Sequence, residues 1–291
     1  MAEVEERAQI LIEALPYIQQ FAGSTIVVKH GGSAMVDPEL RQAVAKDIVL
    51  MHFVGIRPVV VHGGGPRISA MMERLGIQPE FVRGLRVTTE QTMEVAQMVL
   101  VGSINKEIVS LINAEGGQAV GLSGKDANLI RTRKMESEAN LGYVGEVESI
   151  DAGVLETLAA SGYIAVVSPV GAGPKGESFN INADHAAAEL AVAVGAAKLI
   201  NLTDVPGILA DPDDEESLIS TLTLDEAQGL LGGEDIGEGM IPKLESAIRA
   251  VEGGVPRAHI IDGRIPHASL IEVFTDRGIG TMISADPSTD G

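Results

Sequence analysis

Ile26-Val27-Val28-Lys29-His30-Gly31-Gly32-Ser33 runs apolar β-formers straight into a lysine and a glycine pair. β-Branched residues in an unbroken apolar run predict a strand buried on both faces, and the glycines let the backbone that follows approach a ligand closely. Lys29 then falls at the carboxyl end of the strand, where open parallel sheets hold their ligands. Taken alone, such a stretch is equally consistent with a tight turn. A second stretch, Val59-Val60-Val61-His62-Gly63-Gly64-Gly65, repeats the pattern one βα unit later. Two strand-to-glycine transitions at matching places point to a phosphate cradle.

Outward from these stretches, strand signals alternate with helical ones. Val4, Ala8, Leu11, Leu15 and Ile18 recur at helical spacing and form one apolar stripe ahead of the first strand. Pro16 is expected to kink or divide that helix. Asp37-Pro38 reads as an N-cap with proline at the first helical position. A capping box of Thr88 with Gln91 is expected to open a long helix to about Asn113, and Thr223 with Glu226 makes a second box. Alternation over 129–149 predicts a hairpin over the sheet. Strands are further expected near 119–122, 163–168, 198–202, 258–262 and 281–284. The fold class is α/β: an open, mainly parallel central sheet with helices on both faces. The predicted division is an N-terminal oligomerisation helix (1–22), an N-lobe (23–175) that binds the acceptor, and a C-lobe (176–291) that binds the nucleotide, both lobes sharing one sheet.

The totals narrow the function. The 291 residues carry 41 acidic and 21 basic side chains, a formal charge of -20. Such a surface repels nucleic acid and anionic membrane, so no partner of either kind is expected. An anionic substrate therefore needs a local cluster of Lys, Arg and backbone N–H groups. Cysteine is absent, which removes disulfides, thiolate nucleophiles and cysteine-type zinc sites. No signal-peptide pattern opens the chain, and no apolar run is read as bilayer-spanning, so a cytoplasmic protein is expected. Candidate ligand groups collect at predicted strand ends: Lys29, Gly31, Gly32, Gly63, Gly64, Gly65, Arg86, Asn180, Asn182, Asp184, Thr203, Asp204 and Lys243. They match neither the Walker A spacing nor the dinucleotide fingerprint, and no Ser–His pairing suggests a nucleophilic triad.

The stretches VVKHGGSAM (27–35), VVVHGGGPRI (59–68), VRGLRVTT (82–89), FNINADHAA (179–187), NLTDVPGI (201–208) and GMIPK (239–243) resemble, in order and over nearly the whole chain, the N-acetylglutamate kinases of the amino acid kinase superfamily. The resemblance implies transfer of the ATP γ-phosphoryl group, with Mg²⁺, to the γ-carboxylate of N-acetyl-L-glutamate in arginine biosynthesis. A carboxylate acceptor with a reference pKa of about 4.3 is already ionised at neutral pH and requires no general base. The task is to bring anions together and spread charge, by positioning and electrostatics. By resemblance, Lys29 and Lys243 stabilise the transferred group and Asp184 orients both. Gly64, Gly65, Arg86, Asn180 and Asn182 bind the acceptor, with Arg86 as a bidentate partner of its α-carboxylate. Gly31, Gly32, Thr203 and Asp204 bind the nucleotide. No protein metal site is implied, and His30 and His62 are read as structural.

The chain is also similar to the arginine-inhibited members of that family, through its extra N-terminal helix and through His267, Leu270, Glu272, Gly278, Gly280 and Thr281. The implied arginine site uses Tyr17, His267, Glu272 and main chain near Gly278. The implied assembly is a homohexamer, a trimer of dimers, with a PII-type nitrogen sensor as a further partner. The competing readings are a carbamate, aspartate, glutamate or uridylate kinase, or a non-catalytic arginine sensor. Retention of both Lys29 and Lys243 argues against the sensor.

Overall fold

The structure, a computed structural model, describes residues 9–211, 213–231, 237, 239–275 and 278–285. Val4 and Ala8 of the N-terminal stripe, Pro212 of the acidic run and Glu238 lie outside them. In chain order the strands are β1 (Thr25–His30), β2 (Arg57–His62), β3 (Phe81–Val82), β4 (Leu85–Arg86), β5 (Ala119–Ser123), β6 (Ile130–Lys134) and β7 (Gly145–Ile150). There follow β8 (Ile164–Ser168), β9 (Val170–Ala172), β10 (Ser178–Asn180), β11 (Lys198–Thr203), β12 (Thr221–Thr223), β13 (Arg257–Asp262) and β14 (Thr281–Ser284). Eight of them form one sheet in the order β12-β14-β13-β11-β1-β2-β8-β5. All of its pairings are parallel except β13 with β14. β6, β7, β9 and β10 make a second sheet, the hairpin expected over 129–149 extended by two strands.

β1 lies in the middle of the large sheet, pairing Lys29 with Val61 on β2 and with Asn201 on β11. Its odd and even residues feed separate cores. Ile26 and Val28 join one apolar cluster with the helices Pro38–Phe53, Gly65–Arg74 and Ala268–Phe274. Val27 joins the other, with the helices Ala183–Ala193 and Ile241–Glu252. A strand covered on both faces has to read as an unbroken apolar run, and β1 does. Full burial of one such side chain contributes roughly 1.5–3 kcal/mol.

Local signals fix most helix starts. Asp37 Oδ1 accepts the N–H groups of Glu39 and Leu40, and Thr223 and Glu226 bond reciprocally as a capping box. Residues 9–13 are helical, a turn follows at Ala14, and Leu15–Phe21 restarts with Pro16 in its first turn, so the proline divides the helix. The expected box at Thr88 shifts by one residue. Thr89 is the N-cap and accepts from Thr92 N, whereas Thr88 is buried and donates its hydroxyl to Arg86 O.

Glu90–Ala114 corrects a further expectation. By length and composition it is the one helix among the described residues long and apolar enough to cross a bilayer, with a mean hydropathy of 1.4 over its most apolar 18 residues. Its buried residues Val95, Val99, Leu100, Ile104, Ile108 and Ile112 join the core below the sheet, so the apolarity serves packing. Between Met98 and Ile104 the helix widens into π geometry, a distortion often found beside functional sites.

Candidate active site

β1, β2, β11 and β13 end at one edge of the sheet, so their following loops converge. Lys29, next to last on β1, is 6% exposed, and its Nζ lies 2.7 Å from Asp184 Oδ1. Asp184 sits in the first turn of Ala183–Ala193, where the helix dipole favours a carboxylate. Burial pushes the Asp184 carboxyl up, but the charge and hydrogen bond of Lys29, with the charge of Lys243, outweigh it and hold the group below its ordinary value. Burial also lowers the Lys243 ammonium, against the pull of Asp184. The Lys243 Nζ donates to Gly239 O at 2.8 Å from the start of Ile241–Glu252.

Glycine is required where the loops close in. A Cβ on Gly31 would fall on Lys29 Nζ, and one on Gly32, which also has φ +66°, would fall on the Asp204 carboxylate. Two cavities meet at this point. One, of about 400 Å³, is lined by Thr203, Asp204, Val205, Gly207, Ile208 and Met240 among others. The second, of about 600 Å³, contains Gly64, Gly65, Arg86, Asn180, Asn182 and Asp184. Lys29, Gly32, Asp204 and Lys243 line both. Thr203 is buried, with its hydroxyl tied to Val205 by 3.0 and 3.1 Å hydrogen bonds, so it shapes the turn of the first cavity.

In the second cavity a two-residue turn, Arg83 (φ 48°) and Gly84 (φ 76°), pairs β3 with β4 and sets Phe81 opposite Arg86. Positive φ at both turn positions matches the right-handed twist of a hairpin. The Arg86 guanidinium carbon stacks 4.6 Å from the Phe81 ring centroid. Its Nη2 donates to Gly65 O and Ser69 Oγ, and Nη1 to Met72 Sδ. Of the five N–H donors of a guanidinium, Nε–H and one Nη1–H remain, and no two-donor edge is whole. The bidentate role expected of Arg86 thus requires it to release Ser69 or Gly65. Asn180 Nδ2 donates to Thr88 Oγ1 at 3.3 Å. Asn182 is the N-cap of Ala183–Ala193, its Oδ1 accepting from Asp184 N and His185 N. Gly64 packs against Leu100 and Ile104 of the π segment, while Gly65 faces open space.

His30 and His62 are buried and neutral. Burial, aided by His62, Lys29 and Arg41, brings His30 down to about 3. Burial brings His62 to about 4, despite its hydrogen bond with Gly63. An unfolded chain takes up these protons near pH 6.5, so stability complete above that value is lost progressively as pH falls toward 4 and below. Thermal unfolding across this range is expected to show Tm dropping with pH, and His62→Gln to flatten the slope; an unaltered slope would remove His62 from this account.

Glu272 is not a surface acid: at 5% exposure it accepts from His259 Nδ1 at 2.6 Å and from Ile279 N at 2.8 Å. Burial raises its carboxyl, but these bonds and Lys198 bring it below the ordinary range. A Cβ on Gly278 would lie 2.7 Å from Glu272 Oε1. Leu15–Phe21, which carries Tyr17, packs against Ala268–Phe274, which carries Glu272. His267 meets Asp47 Oδ1 at 2.5 Å from a left-handed backbone with φ 62°. Three residues escaped the sequence reading. Ser69 and Phe81 hold Arg86, and Thr88 holds Asn180; only the Arg83-Gly84 turn left a signal.

Comparison with known proteins follows the same outline. The profile of the amino acid kinase family matches residues 24–262. An acetylglutamate kinase from Moorella thermoacetica is 58% identical over 287 residues, covering 96% of this chain and 97% of its own. The structure superposes on N-acetylglutamate synthase from Neisseria gonorrhoeae complexed with coenzyme A and N-acetyl-glutamate, with a TM-score of 0.85 at 31% identity. That match covers 96% of this chain and 63% of the synthase, so the chain spans less than two thirds of that protein. The same synthase complexed with coenzyme A and L-arginine gives a TM-score of 0.82 at 31% identity, over 96% of this chain and 65% of that one.

Proposed function

Because this chain belongs to the amino acid kinase family, on its acetylglutamate kinase branch, we infer that it moves the γ-phosphoryl group of ATP onto the γ-carboxylate of N-acetyl-L-glutamate, the second step of arginine biosynthesis through acetylated intermediates. The observation that carries this reading is the wall of Lys29, Gly32, Asp204 and Lys243 shared by two cavities. A nucleotide in one and an acyl amino acid in the other meet at the two ammonium groups.

A γ-carboxylate oxygen attacks the γ-phosphorus, the bond to the β,γ-bridging oxygen breaks, and ADP leaves with the electron pair. No proton moves, which suits a site where both buried histidines are neutral. Lys29 and Lys243 balance the charge that spreads over the transferred group, and Asp184 orients them. Gly31 and Gly32 cradle phosphate, and Thr203 and Asp204 shape the nucleotide cavity. Gly64 and Gly65 turn N–H groups to the acceptor, while Arg86 and Asn180 hold it. Asn182 acts mainly by fixing the helix that carries Asp184. The described residues contain no cluster of three or more His, Asp or Glu side chains able to hold a metal. Mg²⁺ in our reading arrives with the triphosphate, as is usual for an ion that keeps most of its waters, and no step is routed through it.

An ADP-release assay offering N-acetylglutamate, glutamate, aspartate, carbamate and UMP in turn tests the assignment. Turnover confined to N-acetylglutamate is the expected result, and preference for another acceptor overturns it. Arg86→Ala is expected to raise the acceptor KM about tenfold or more, the loss of a charged hydrogen-bonding partner, with kcat changed less. An unchanged KM would exclude Arg86 from the acceptor site.

We also propose that arginine inhibits the enzyme near Tyr17, His267, Glu272 and Gly278, and that residues 1–22 join dimers into a hexamer. Leu11 (73% exposed) and Leu15 (44%), one turn apart, leave apolar surface uncovered, in support of a subunit contact. A chain that sediments as a dimer and keeps full activity in millimolar arginine would refute both. Division into an acceptor lobe (23–175) and a nucleotide lobe (176–291), a PII-type partner and a cytoplasmic setting complete the reading.

A further inference from the structure

Arg67 has no part in the roles assigned above, yet it lines the acceptor cavity from the first turn of Gly65–Arg74. Its Nη1 donates to Glu107 Oε2 at 2.5 Å and its Nη2 to Ser103 Oγ at 2.9 Å. The other Glu107 oxygen pairs with Arg41 Nη1. One carboxylate therefore lies between two guanidinium groups, and the trio keeps a net positive charge on a chain whose total is -20. Of the five N–H donors of Arg67, three are uncommitted among the described contacts, and the side chain is 38% exposed. Arg86, deeper in the cavity, has no intact two-donor edge to offer.

A dianionic acceptor approaching this surface is repelled at long range, and a fixed cation at the entrance counteracts that repulsion where it limits capture. We propose that Arg67 is a second cationic contact for the acceptor, taking a carboxylate at the mouth of the cavity, with Glu107 and Ser103 fixing its orientation. The proposal rests on the acetylglutamate reading. If Arg67 served only to tie helices together, its loss would change Tm and leave substrate affinity alone.

The test compares wild type, Arg67→Gln and Arg67→Lys in initial rates with each substrate varied in turn, at about 20 mM and about 500 mM KCl, with Tm measured in parallel. Arg67→Gln is expected to raise the KM for N-acetylglutamate about fivefold at low salt, with kcat and the KM for ATP within about twofold of wild type. The difference should shrink at high salt, and Arg67→Lys should recover most of it. An unchanged acceptor KM, an equal rise in both KM values, or a lysine variant as impaired as the glutamine variant overturns the proposal. Failure of the wild type to use N-acetylglutamate would instead overturn the reading on which it rests.

Discussion

Lys29→Ala is expected to lower kcat by about 10²–10³-fold, the usual consequence of removing one preorganised charge stabiliser from a transition state. The substitution has a second effect that has to be separated from the first. Lys29 and Asp184 form a buried pair at 2.7 Å, and loss of one partner leaves the other charge unpaired. Breaking such a pair costs about 3–5 kcal/mol, which a domain of ordinary stability survives. The pH dependence identifies the origin. In the wild type the Asp184 carboxyl lies below its ordinary value, so its contribution is complete above about pH 4 and is lost as pH falls further. Without Lys29, burial prevails and the carboxyl rises above its unfolded value, so stability instead falls as pH rises from about 4 toward that raised value, the reverse of the wild type. Lys29→Met combined with Asp184→Asn removes both charges and should recover much of the stability while turnover stays low. Recovery of turnover in the double variant, or near-normal kcat in Lys29→Ala, would end the proposed role for this lysine.

Gly64→Ala is expected to reduce kcat/KM for the acceptor by roughly 10²-fold. A Cβ at Gly64 lies 2.6 Å from both Leu100 Cδ2 and Ile104 Cδ1, too close for either methyl to remain where it is. Overpacking of this kind costs about 1–3 kcal/mol and displaces backbone. A shift of about 1 Å at an acceptor-binding N–H is enough for the predicted loss. Gly65→Ala is the matched control, because its added methyl meets nothing within 4 Å and the N–H is retained. Trimming the obstruction with Leu100→Ala should restore part of the activity of Gly64→Ala. If Gly64→Ala and Gly65→Ala behave alike in steady-state kinetics, the close approach has no functional weight.

What the sequence disclosed followed from how local each signal is. The strand-to-glycine transitions were legible because burial on both faces forces an unbroken apolar run, and because Gly31 and Gly32 have no room for a side chain. The caps at Asp37 and Thr223 were legible because each acts within three residues. The π segment was not, since its apolar residues continue the surrounding pattern and hydrophobicity does not report which carbonyl each N–H reaches. Thr88 was misread as a cap because its true partners, Arg86 O and Asn180 Nδ2, include one from a distant strand. From the sequence, Glu272 could also be a helix surface acid, and only the fold brings His259 and Ile279 N to it. The same limit hid the partial commitment of Arg86, which depends on Ser69, Gly65 and Phe81 meeting it in space.

β1 is translated well before one of its two ladder partners: Ile26 is matched to Lys198. At roughly 5–20 residues per second, a ribosome needs roughly 10–30 s to supply that partner. During the interval the exit tunnel has released an apolar strand with one hydrogen-bonding edge uncovered, a template for any extended segment nearby. Translation is therefore a vulnerable stage for this protein. Losses in a heterologous host should fall on nascent chains that have not yet reached β11, where slower elongation gives protection that stabilising the finished enzyme cannot.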